Sequence, residues 1–241
     1  MPTLLQAIIL FLLPIQSLAS PPVNLGTTLV AIQYRHGVVV GADTRTSVGS
    51  YVSNRFAHKI SPLTPYCVLA RSGSAADTQA LALAAREHLE QVAFRYSHGY
   101  TTSRQLLSVT QLAHWLQRKV YEEECGSVSL LIAGYNPATQ RAELYSLAPS
   151  GALLEHHTEG SSFAASGSGS AIVTGFLDHH VKGNLEEEQA VRLAKEALCQ
   201  AMQRDGSSGG MCRLVVLNDQ GRQEWIELPG SRERINPLAL Q

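Results

Sequence analysis

The order of strand-like and helix-like segments along the chain constrains its fold more than any other feature. Short runs of apolar and β-branched residues predict strands, and apolar residues that recur every three or four positions predict helices. The predicted strands cover residues 27–33, 37–42, 66–70, 128–135, 143–147, 213–217 and 224–228. Two helices are predicted between residues 81 and 120, and two more between a Ser- and Gly-rich loop at 161–170 and a Gly-rich turn at 205–210.

Strands and helices that occur in separate groups favour stacked layers over alternating β-α-β units. This order therefore predicts an α+β fold in which two antiparallel sheets lie between two helix pairs. A short polar turn joins the strands at 27–33 and 37–42, which predicts a hairpin. Ser74, followed by Asp77, predicts the start of the first helix. No fixed-period repeat or long linker interrupts residues 27–241, so a single domain is predicted.

The overall composition excludes several classes of protein. Of the 241 residues, 44% are hydrophobic, and the formal net charge is −1. The chain thus has enough apolar material for a sizeable core and is not expected to be disordered. It also lacks the basic excess of a dedicated nucleic-acid binder.

The cysteines and histidines do not form a recognisable metal motif. The four cysteines lie far apart without a C-x-x-C pair, which disfavours a zinc site and a disulfide framework, and we expect buried free thiols at Cys67, Cys125, Cys199 and Cys212. Two histidine pairs lack the spacing of a helical zinc site and are expected at the surface: His156-His157 and His179-His180.

The first 26 residues differ from the rest of the chain. Residues 4–13 are nearly all apolar, but this run is too short to span a bilayer. Residues 17–19 offer the small-x-small pattern of a signal-peptide cleavage site, whereas no Lys or Arg precedes Arg35. On this segment alone, a secretory signal and a removable pro-segment both remain open. In either case we exclude it from the fold.

Gly26-Thr27-Thr28 stands where this leader meets the first predicted strand. If the bond after Gly26 is cut, Thr27 carries both a hydroxyl and a free α-amine, whose ordinary pKa of about 7.7–8.0 suits a general base. A hydroxyl is a weak nucleophile until a base takes its proton, and here one residue could supply both groups. The triplet is also a common way to begin an ordinary strand.

Further residues could complete such a site if the fold brings them together. Lys59 would lower the pKa of the Thr27 hydroxyl, and Asp43 would hold that lysine charged and oriented. Gly73, just before the first predicted helix, could offer a backbone N–H to an oxyanion. Polar side chains on Gly-rich loops could orient the reacting groups: Ser168, Asp205 and Ser208. Taken singly, each is better explained by a solvated surface residue or a plain turn.

In combination and in this order, the motifs resemble those of a proteasome β subunit. The resemblance runs from residue 27 to about residue 217. It rests on G-T-T at 26–28, G-A-D-T-R-T at 41–46, N-R-F-A-H-K at 54–59, R-S-G-S-A-A-D-T-Q at 71–79, G-S-G-S at 167–170 and R-D-G-S-S-G-G at 204–210. Several motifs in the right order are far more specific than any one of them.

The resemblance implies an Ntn-hydrolase fold, a four-layer αββα sandwich. It also implies that residues 1–26 are a propeptide removed by autolysis, which exposes Thr27 as the nucleophile of a threonine endopeptidase that needs no cofactor or metal. By position, the family's catalytic Asp and Lys correspond to Asp43 and Lys59, and its oxyanion donor to Gly73. The residues that tune the threonine amine correspond to Ser168, Asp205 and Ser208.

Among the β subunits, the resemblance is greatest to the type-1 kind, and the chain could be a divergent paralogue of it. Arg71 matches the arginine at the floor of the type-1 pocket, which implies cleavage after acidic residues, because a guanidinium pairs bidentately with a carboxylate. The substrate cleft is expected to be lined by Thr46, Ser47, Ala75 and Thr78. Ala57 and His58 depart from the usual Thr and Asp of this kind, and His58 could titrate near neutral pH.

The implied partners are other α and β subunits in a 28-subunit particle of four stacked rings, with unfolded polypeptides as substrates. Nucleic acid and membrane are not expected partners, and the expected location is cytoplasm and nucleus. Two alternatives remain: a non-catalytic β-ring subunit that retains its propeptide, and a secreted hydrolase cut after Ala19. The mature N-terminus distinguishes all three.

Overall fold

A computed structural model describes residues 26–48, 51–97, 108–123, 125, 127–156, 162–231 and 233–235. In these ranges the strands are β1 (Leu29–Tyr34), β2 (Gly37–Asp43), β3 (Thr46–Val48), β4 (Tyr51–Asn54), β5 (Ile60–Thr64), β6 (Cys67–Gly73), β7 (Val128–Asn136), β8 (Arg141–Leu147), β9 (Leu153–Glu155), β10 (Phe163–Ser166), β11 (Cys212–Asn218) and β12 (Gly221–Glu227). The helices are α1 (Ala75–Ser97), α2 (Val109–Glu122), α3 (Ser170–His180) and α4 (Glu187–Arg204).

Two five-stranded antiparallel sheets form the centre of the molecule. The first has the strand order β10-β1-β2-β11-β12, and the second has the order β5-β6-β7-β8-β9. Strands β3 and β4 form a separate two-stranded hairpin. In the first sheet, Ala42 of β2 lies opposite Leu29 of β1 and Arg213 of β11, so the three central strands are in direct register.

Strand β1 shows how the layers are built, because all six of its residues are buried. Val30 and Ile32 face a cluster that includes the apolar sides of α3 and α4. Leu29 and Ala31 face the opposite way, into a cluster shared with the second sheet. Side chains alternate along a strand, so a continuous apolar run requires cover on both faces.

The second sheet is covered in the same way. One of its faces packs on the first sheet, and the other packs on α1 and α2 in a separate apolar cluster. The four layers are therefore helices, sheet, sheet and helices, which confirms the predicted αββα sandwich.

The helix boundaries follow local capping. At α2, the Ser108 side chain accepts a hydrogen bond from the Gln111 N–H, and the Gln111 side chain accepts one from the Ser108 N–H. At α1, the Ser74 hydroxyl accepts a 3.4 Å hydrogen bond from the Asp77 N–H, the pair seen in the sequence. The predicted break at residues 98–99 lies outside the described residues.

The sequence pattern does not predict five of the strands. The predicted loop at 161–170 contains β10, whose small residues FAAS pair with β1 from Ser166↔Leu29 to Phe163↔Ile32. Strands β3, β4, β5 and β9 have three to five residues each, too few to show a hydrophobic period. Strand β5 contains Pro62 and lies at a sheet edge, where a missing N–H is tolerated.

The predictions for cysteine and histidine are partly wrong. All four cysteines are free, but only Cys67 and Cys212 are buried, whereas Cys125 and Cys199 are half-buried. His179 and His180 are exposed as expected. His156 is instead half-buried, and its Nε2 atom hydrogen-bonds the Ser146 hydroxyl at 2.7 Å. His157 lies outside the described residues.

The chain beyond β12 folds back onto the first sheet. Ile226 and Ile235 exchange two backbone hydrogen bonds of 2.9 and 2.7 Å, which places residue 235 beside the edge strand. The Arg234 guanidinium lies 4.4 Å from the centre of the Trp225 ring, a cation–π contact. Among the described residues, no helix is long and apolar enough to cross a membrane.

Helix α1 offers a direct test of the layer interface. Leu81 is 1% exposed and packs on the second sheet, whereas Leu83, two residues along the same helix, is 56% exposed. We expect Leu81→Ala to lower the free energy of unfolding by about 2–5 kcal/mol, because it leaves a cavity in the core. Leu83→Ala should change it by less than about 0.5 kcal/mol. Urea unfolding of the purified chain measures both, and equal losses would contradict this packing.

Candidate active site

The candidate site lies at one end of the first sheet, where several strands begin or end together. Thr27 and Thr28 precede β1, Asp43 is the last residue of β2, and Cys212, the first residue of β11, pairs directly with Asp43. Thr27 is 4% exposed. The antiparallel register thus brings residues distant in sequence to one sheet edge.

A buried ion pair occupies the centre of this site. The Lys59 Nζ lies 2.7 Å from Asp43 Oδ1, with the lysine side chain 7% exposed and the aspartate fully buried. Burial is the main influence on Lys59 and lowers its pKa, although the Asp43 carboxylate opposes the shift. Lys59 therefore releases its proton more readily than a lysine in water does.

The Asp43 carboxylate also fixes the surrounding backbone. Its Oδ1 atom accepts a hydrogen bond from the Thr28 N–H at 2.9 Å. Its Oδ2 atom accepts hydrogen bonds from the N–H groups of Gly209 at 3.0 Å and Arg45 at 3.3 Å. One carboxylate thus holds the start of β1, the chain after β2 and the loop before β11 in fixed positions.

The peptide bond between Gly26 and Thr27 is the point where these groups converge. The Gly26 carbonyl accepts a hydrogen bond from Lys59 Nζ at 3.1 Å and another from the Thr27 hydroxyl at 2.8 Å. A hydroxyl and an ammonium group therefore contact the same carbonyl, next to the bond whose cleavage would free the Thr27 amine.

Gly26 is required here by close approach. A Cβ atom at position 26 would lie 1.9 Å from the Ser207 Cβ and 2.3 Å from the Ser207 carbonyl oxygen. Since real Cβ atoms never come so close, any other residue would push the 26–27 peptide away from Lys59 or displace the loop at 205–210.

A second hydrogen-bonded chain reaches the Thr27 nitrogen. The Thr27 N–H donates to the Ser168 hydroxyl at 3.1 Å, and that hydroxyl donates to Asp205 Oδ2 at 2.6 Å. The Ser208 hydroxyl donates to the same oxygen at 2.6 Å and contacts the Thr28 hydroxyl at 2.8 Å. Ser208 is therefore linked to Thr27 in two ways, through Asp205 and Ser168 and through the neighbouring Thr28.

The Asp205 carboxylate is held in its charged form. Burial alone would raise its pKa, but hydrogen bonds from Ser168, Ser208 and the Ser207 N–H, together with the nearby Arg45 guanidinium, outweigh burial and lower the pKa below its usual value. An ionised Asp205 can only accept hydrogen bonds, so both serine hydroxyls point their protons toward it.

A cavity of about 330 Å³ opens beside Thr27. Seven residues predicted for the site or cleft line it: Thr27, Thr46, Lys59, Arg71, Gly73, Ala75 and Thr78. Gly73 adopts a φ of +99°, and a Cβ there would lie 1.8 Å from the Ser127 carbonyl oxygen, so the backbone can reach this position only with glycine. Ser47 is buried and is not part of the lining.

Arg71 lies in the wall of the same cavity. Its guanidinium donates to the Ser61 hydroxyl at 2.9 Å, to the His58 carbonyl at 2.6 Å and to the Thr78 hydroxyl at 3.5 Å. None of these acceptors carries a charge. Within the described ranges, Arg71 forms no salt bridge with a carboxylate. The half-buried guanidinium thus keeps its positive charge available to the cavity.

His58 does not add a second charge at neutral pH. Burial and the nearby Arg213 and Arg71 guanidinium groups lower its pKa below the usual value of 6.5. The sequence alone allowed His58 to titrate near neutral pH. With this lowered pKa, the imidazole is mostly neutral at pH 7.

Comparison with known proteins places these motifs in one family. The model of the family described as "Proteasome subunit" matches residues 23–217. The chain belongs to the proteasome subunit family. It is 34% identical over 209 residues, 87% of each chain, to the probable proteasome subunit beta type-1 of Schizosaccharomyces pombe. It is 36% identical over 200 residues to the proteasome subunit beta type-6 of Arabidopsis thaliana, covering 83% of this chain and 81% of the relative.

A third relative is the proteasome subunit beta type-9 of Bos taurus, 36% identical over 200 residues, which cover 83% of this chain and 85% of the relative. These three relatives are β-type subunits of types 1, 6 and 9, in agreement with the type-1 resemblance of the motifs. Membership in this family implies assembly with other proteasome subunits.

Sequence reasoning missed some residues of this β-type subunit's site. The Arg45 guanidinium donates to the carbonyls of Gly206 and Ser208 and so fixes the loop at 205–210. Asn54, Ser72 and Gln79 also line the cavity. Arg45 lies inside the G-A-D-T-R-T motif, and this position was the only hint in the sequence that Arg45 belongs to the site. A single sequence does not show that its side chain contacts a loop 161 residues further along the chain.

The buried ion pair yields a stability prediction. Asp43→Asn would leave the Lys59 ammonium buried without a counter-charge, so we expect the free energy of unfolding to fall by about 3–5 kcal/mol. Arg35→Gln is the matched control, because its pair with Glu186 is 61% exposed on both sides and should contribute less than about 1 kcal/mol. Urea unfolding at neutral pH compares the two, and similar losses would refute the structural role of Asp43.

Proposed function

We propose that this proteasome subunit is a threonine endopeptidase that first removes its own residues 1–26 and then uses Thr27 as its nucleophile. The observation that carries the proposal is the convergence of the Thr27 hydroxyl and Lys59 Nζ on the Gly26 carbonyl. The hydrogen bond from the Thr27 N–H to Ser168 adds support, because it fixes the nitrogen that would become the general base.

In the first reaction, the Thr27 hydroxyl oxygen attacks the Gly26 carbonyl carbon, and the C–N bond breaks. The hydroxyl proton passes to the departing Thr27 nitrogen, which gives an ester and a free α-amine. Lys59 donates a hydrogen bond to the carbonyl oxygen, where negative charge develops. Water then hydrolyses the ester, which releases the leader with a carboxylate at Gly26 and restores the Thr27 hydroxyl.

In the second reaction, the same hydroxyl attacks a substrate carbonyl. The Thr27 amine has an ordinary pKa near 8, so at neutral pH its unprotonated fraction can take the hydroxyl proton. The Lys59 ammonium stabilises the developing alkoxide, and Asp43 keeps that lysine charged and in position. Ser168 with Asp205 orients the amine. The Gly73 backbone lines the cavity beside Thr27 and is the proposed oxyanion donor. An acyl-enzyme forms, the amine product leaves, and water releases the acid.

Cleavage after acidic residues is the specificity that we propose. Arg71 presents a guanidinium to the cavity with neutral hydrogen-bond partners only, so a substrate carboxylate would be its counter-charge.

The proposed assembly, substrates and cellular location are those that the family resemblance implies. The subunit would work in a 28-subunit particle of four stacked rings, degrade unfolded polypeptides in the ubiquitin–proteasome system, and act in the cytoplasm and nucleus without a cofactor. The N-terminus of the subunit isolated from its native complex separates this proposal from the two alternatives. Thr27 as first residue is expected, whereas a retained leader would indicate a structural ring subunit, and a start at Ser20 would indicate secretion.

Substitution of the nucleophile tests the mechanism. We expect Thr27→Ala to retain the leader and to abolish peptide hydrolysis by this subunit, because no hydroxyl remains to attack either carbonyl. Thr27→Ser keeps a hydroxyl and should still remove the leader. Intact mass and fluorogenic peptide turnover of the assembled complex measure both outcomes. Normal leader removal in the alanine variant would refute the self-cleavage step.

Substitution of the cavity cation tests the specificity. We expect Arg71→Leu to lower the preference for acidic over apolar residues before the cleaved bond by about 2 kcal/mol or more, roughly thirtyfold in kcat/KM ratio. Arg86→Leu removes an exposed arginine outside the cavity and should leave the ratio unchanged. The assay uses matched peptides that differ only in that residue. An unchanged ratio in the Arg71 variant would mean that another group recognises the substrate.

A further inference from the structure

A second cavity, of about 600 Å³, opens at the end of the second sheet that lies away from the candidate site. Cys67, the first residue of β6, lines this second cavity, whereas Gly73, the last residue of β6, lines the cavity beside Thr27. At about 3.3 Å per residue, the strand places the two cavities roughly 20 Å apart, and they share no lining residue within the described ranges. Its volume is that of an ordinary small-molecule site, about 300–1,000 Å³.

Much of the wall of the second cavity is apolar. Helix α1 contributes Leu89, and helix α2 contributes Val109 and Leu112, all three at least nine-tenths buried. The turn between β5 and β6 contributes Pro65, and the turn between β7 and β8 contributes Pro137. Since the helices and strands that carry these residues are fixed by the core, the wall is pre-formed. It offers apolar surface to the body of a ligand.

Three polar residues meet at one end of the second cavity: Tyr66, Tyr135 and Asp219. The two tyrosines are neighbours, because the Tyr135 N–H donates a hydrogen bond to the Tyr66 carbonyl at 2.9 Å. Asp219 belongs to the turn between β11 and β12, which packs against Tyr66, since a Cβ atom at Gly221 would lie 3.8 Å from the Tyr66 ring. Two sheets thus bring their turns together at this end.

The side chains of these polar residues have no partner in the protein. Tyr135 is only 6% exposed, and a buried tyrosine hydroxyl usually finds a hydrogen-bond partner. Among the described residues it has none, and neither the Tyr66 hydroxyl nor the Asp219 carboxylate has one. Burial and the nearby Asp219 carboxylate raise the pKa of Tyr135, so its hydroxyl stays protonated at neutral pH and can donate or accept.

The charge of the second cavity is negative. Asp219 forms no salt bridge in the part of the chain that the structure describes. The described lining residues also include no lysine or arginine. The cavity therefore offers a ligand one carboxylate, two hydroxyls and an apolar wall.

We propose that the second cavity is a binding site for a small organic cation, an amine carried on an aromatic or aliphatic body. The ammonium group pairs with the Asp219 carboxylate and donates hydrogen bonds to the hydroxyl oxygens of Tyr66 and Tyr135. The apolar body fills the space between α1, α2 and the proline turns. An acid of the same shape is excluded, because its carboxylate would meet Asp219 without a counter-charge. This site is independent of the proposed peptidase function.

The test uses the native complex and a photoreactive probe, a benzylamine that bears a trifluoromethyl diazirine. The complex is irradiated with the probe, with or without excess phenylbutylamine, and then digested with trypsin. Cleavage after lysine and arginine places the polar end of the cavity on peptides 60–71, 120–141 and 214–222. We expect label on these peptides that phenylbutylamine prevents. Absence of such label would overturn the proposal, including the case in which a neighbouring subunit covers this face.

Competitors of similar shape test whether charge is recognised. Phenylbutylamine carries an ammonium group at neutral pH, phenylbutanol is neutral, and phenylbutyrate is an anion. We expect the amine to protect the three peptides at a concentration roughly tenfold lower than the alcohol, because it pairs with Asp219, and the acid to give no protection. Equal protection by the amine and the alcohol would overturn the assignment of a cation.

Variants of the polar end identify the groups that bind. Asp219→Asn should lower the protectable label roughly tenfold, because it removes the counter-charge of the ammonium. Tyr135→Phe keeps the ring and should lower the label severalfold. Asp178→Asn is the matched control, since Asp178 is an exposed carboxylate on α3 that does not line the cavity. Equal labelling of the Asp219 and Asp178 variants in complexes of normal composition would refute the proposed site.

Discussion

The buried Asp43–Lys59 pair is the interaction on which the rest of the site depends. Two opposite charges in an apolar interior cost several kcal/mol each in lost hydration, and only close contact with further hydrogen bonds offsets that cost. The structure provides both, because the Asp43 carboxylate accepts four hydrogen bonds, one of them from Lys59. The same bonds fix three chain segments, so stability and the arrangement of the reacting groups have one physical origin.

This arrangement is possible because both sheets are covered on both faces. Each central strand is fixed by packing from above and below, and its end therefore presents a polar residue at a defined position. Thr28 before β1, Asp43 at the end of β2 and Ser208 before β11 are all fully buried, yet each has a hydrogen-bond partner. Covered sheets thus allow these three polar residues to be buried at the end of the sheet with their hydrogen bonds satisfied.

The sequence predicted the parts of this molecule that have a clear hydrophobic period or a motif. Strands β1 and β2 and helices α2 and α4 follow from apolar spacing, and the layers follow from their order. Strand β10 could not be predicted, because its alanines and serine are typical of a loop. The motifs indicated Thr27, Asp43 and Lys59, but not that Ser208 contacts Thr28 or that Arg45 holds a distant loop. Such contacts depend on tertiary structure, as does the half-exposure of Cys199.

The fold-back of the chain after β12 has a consequence for the isolated subunit. Strand β12 is the last strand of the first sheet, and the outer side of such an edge strand is a template on which a strand of another molecule can add. The two hydrogen bonds between Ile226 and Ile235 occupy part of that edge, and Arg234 covers Trp225 next to it. The fold-back therefore leaves fewer backbone groups of this edge open to a strand of another molecule than β12 alone would.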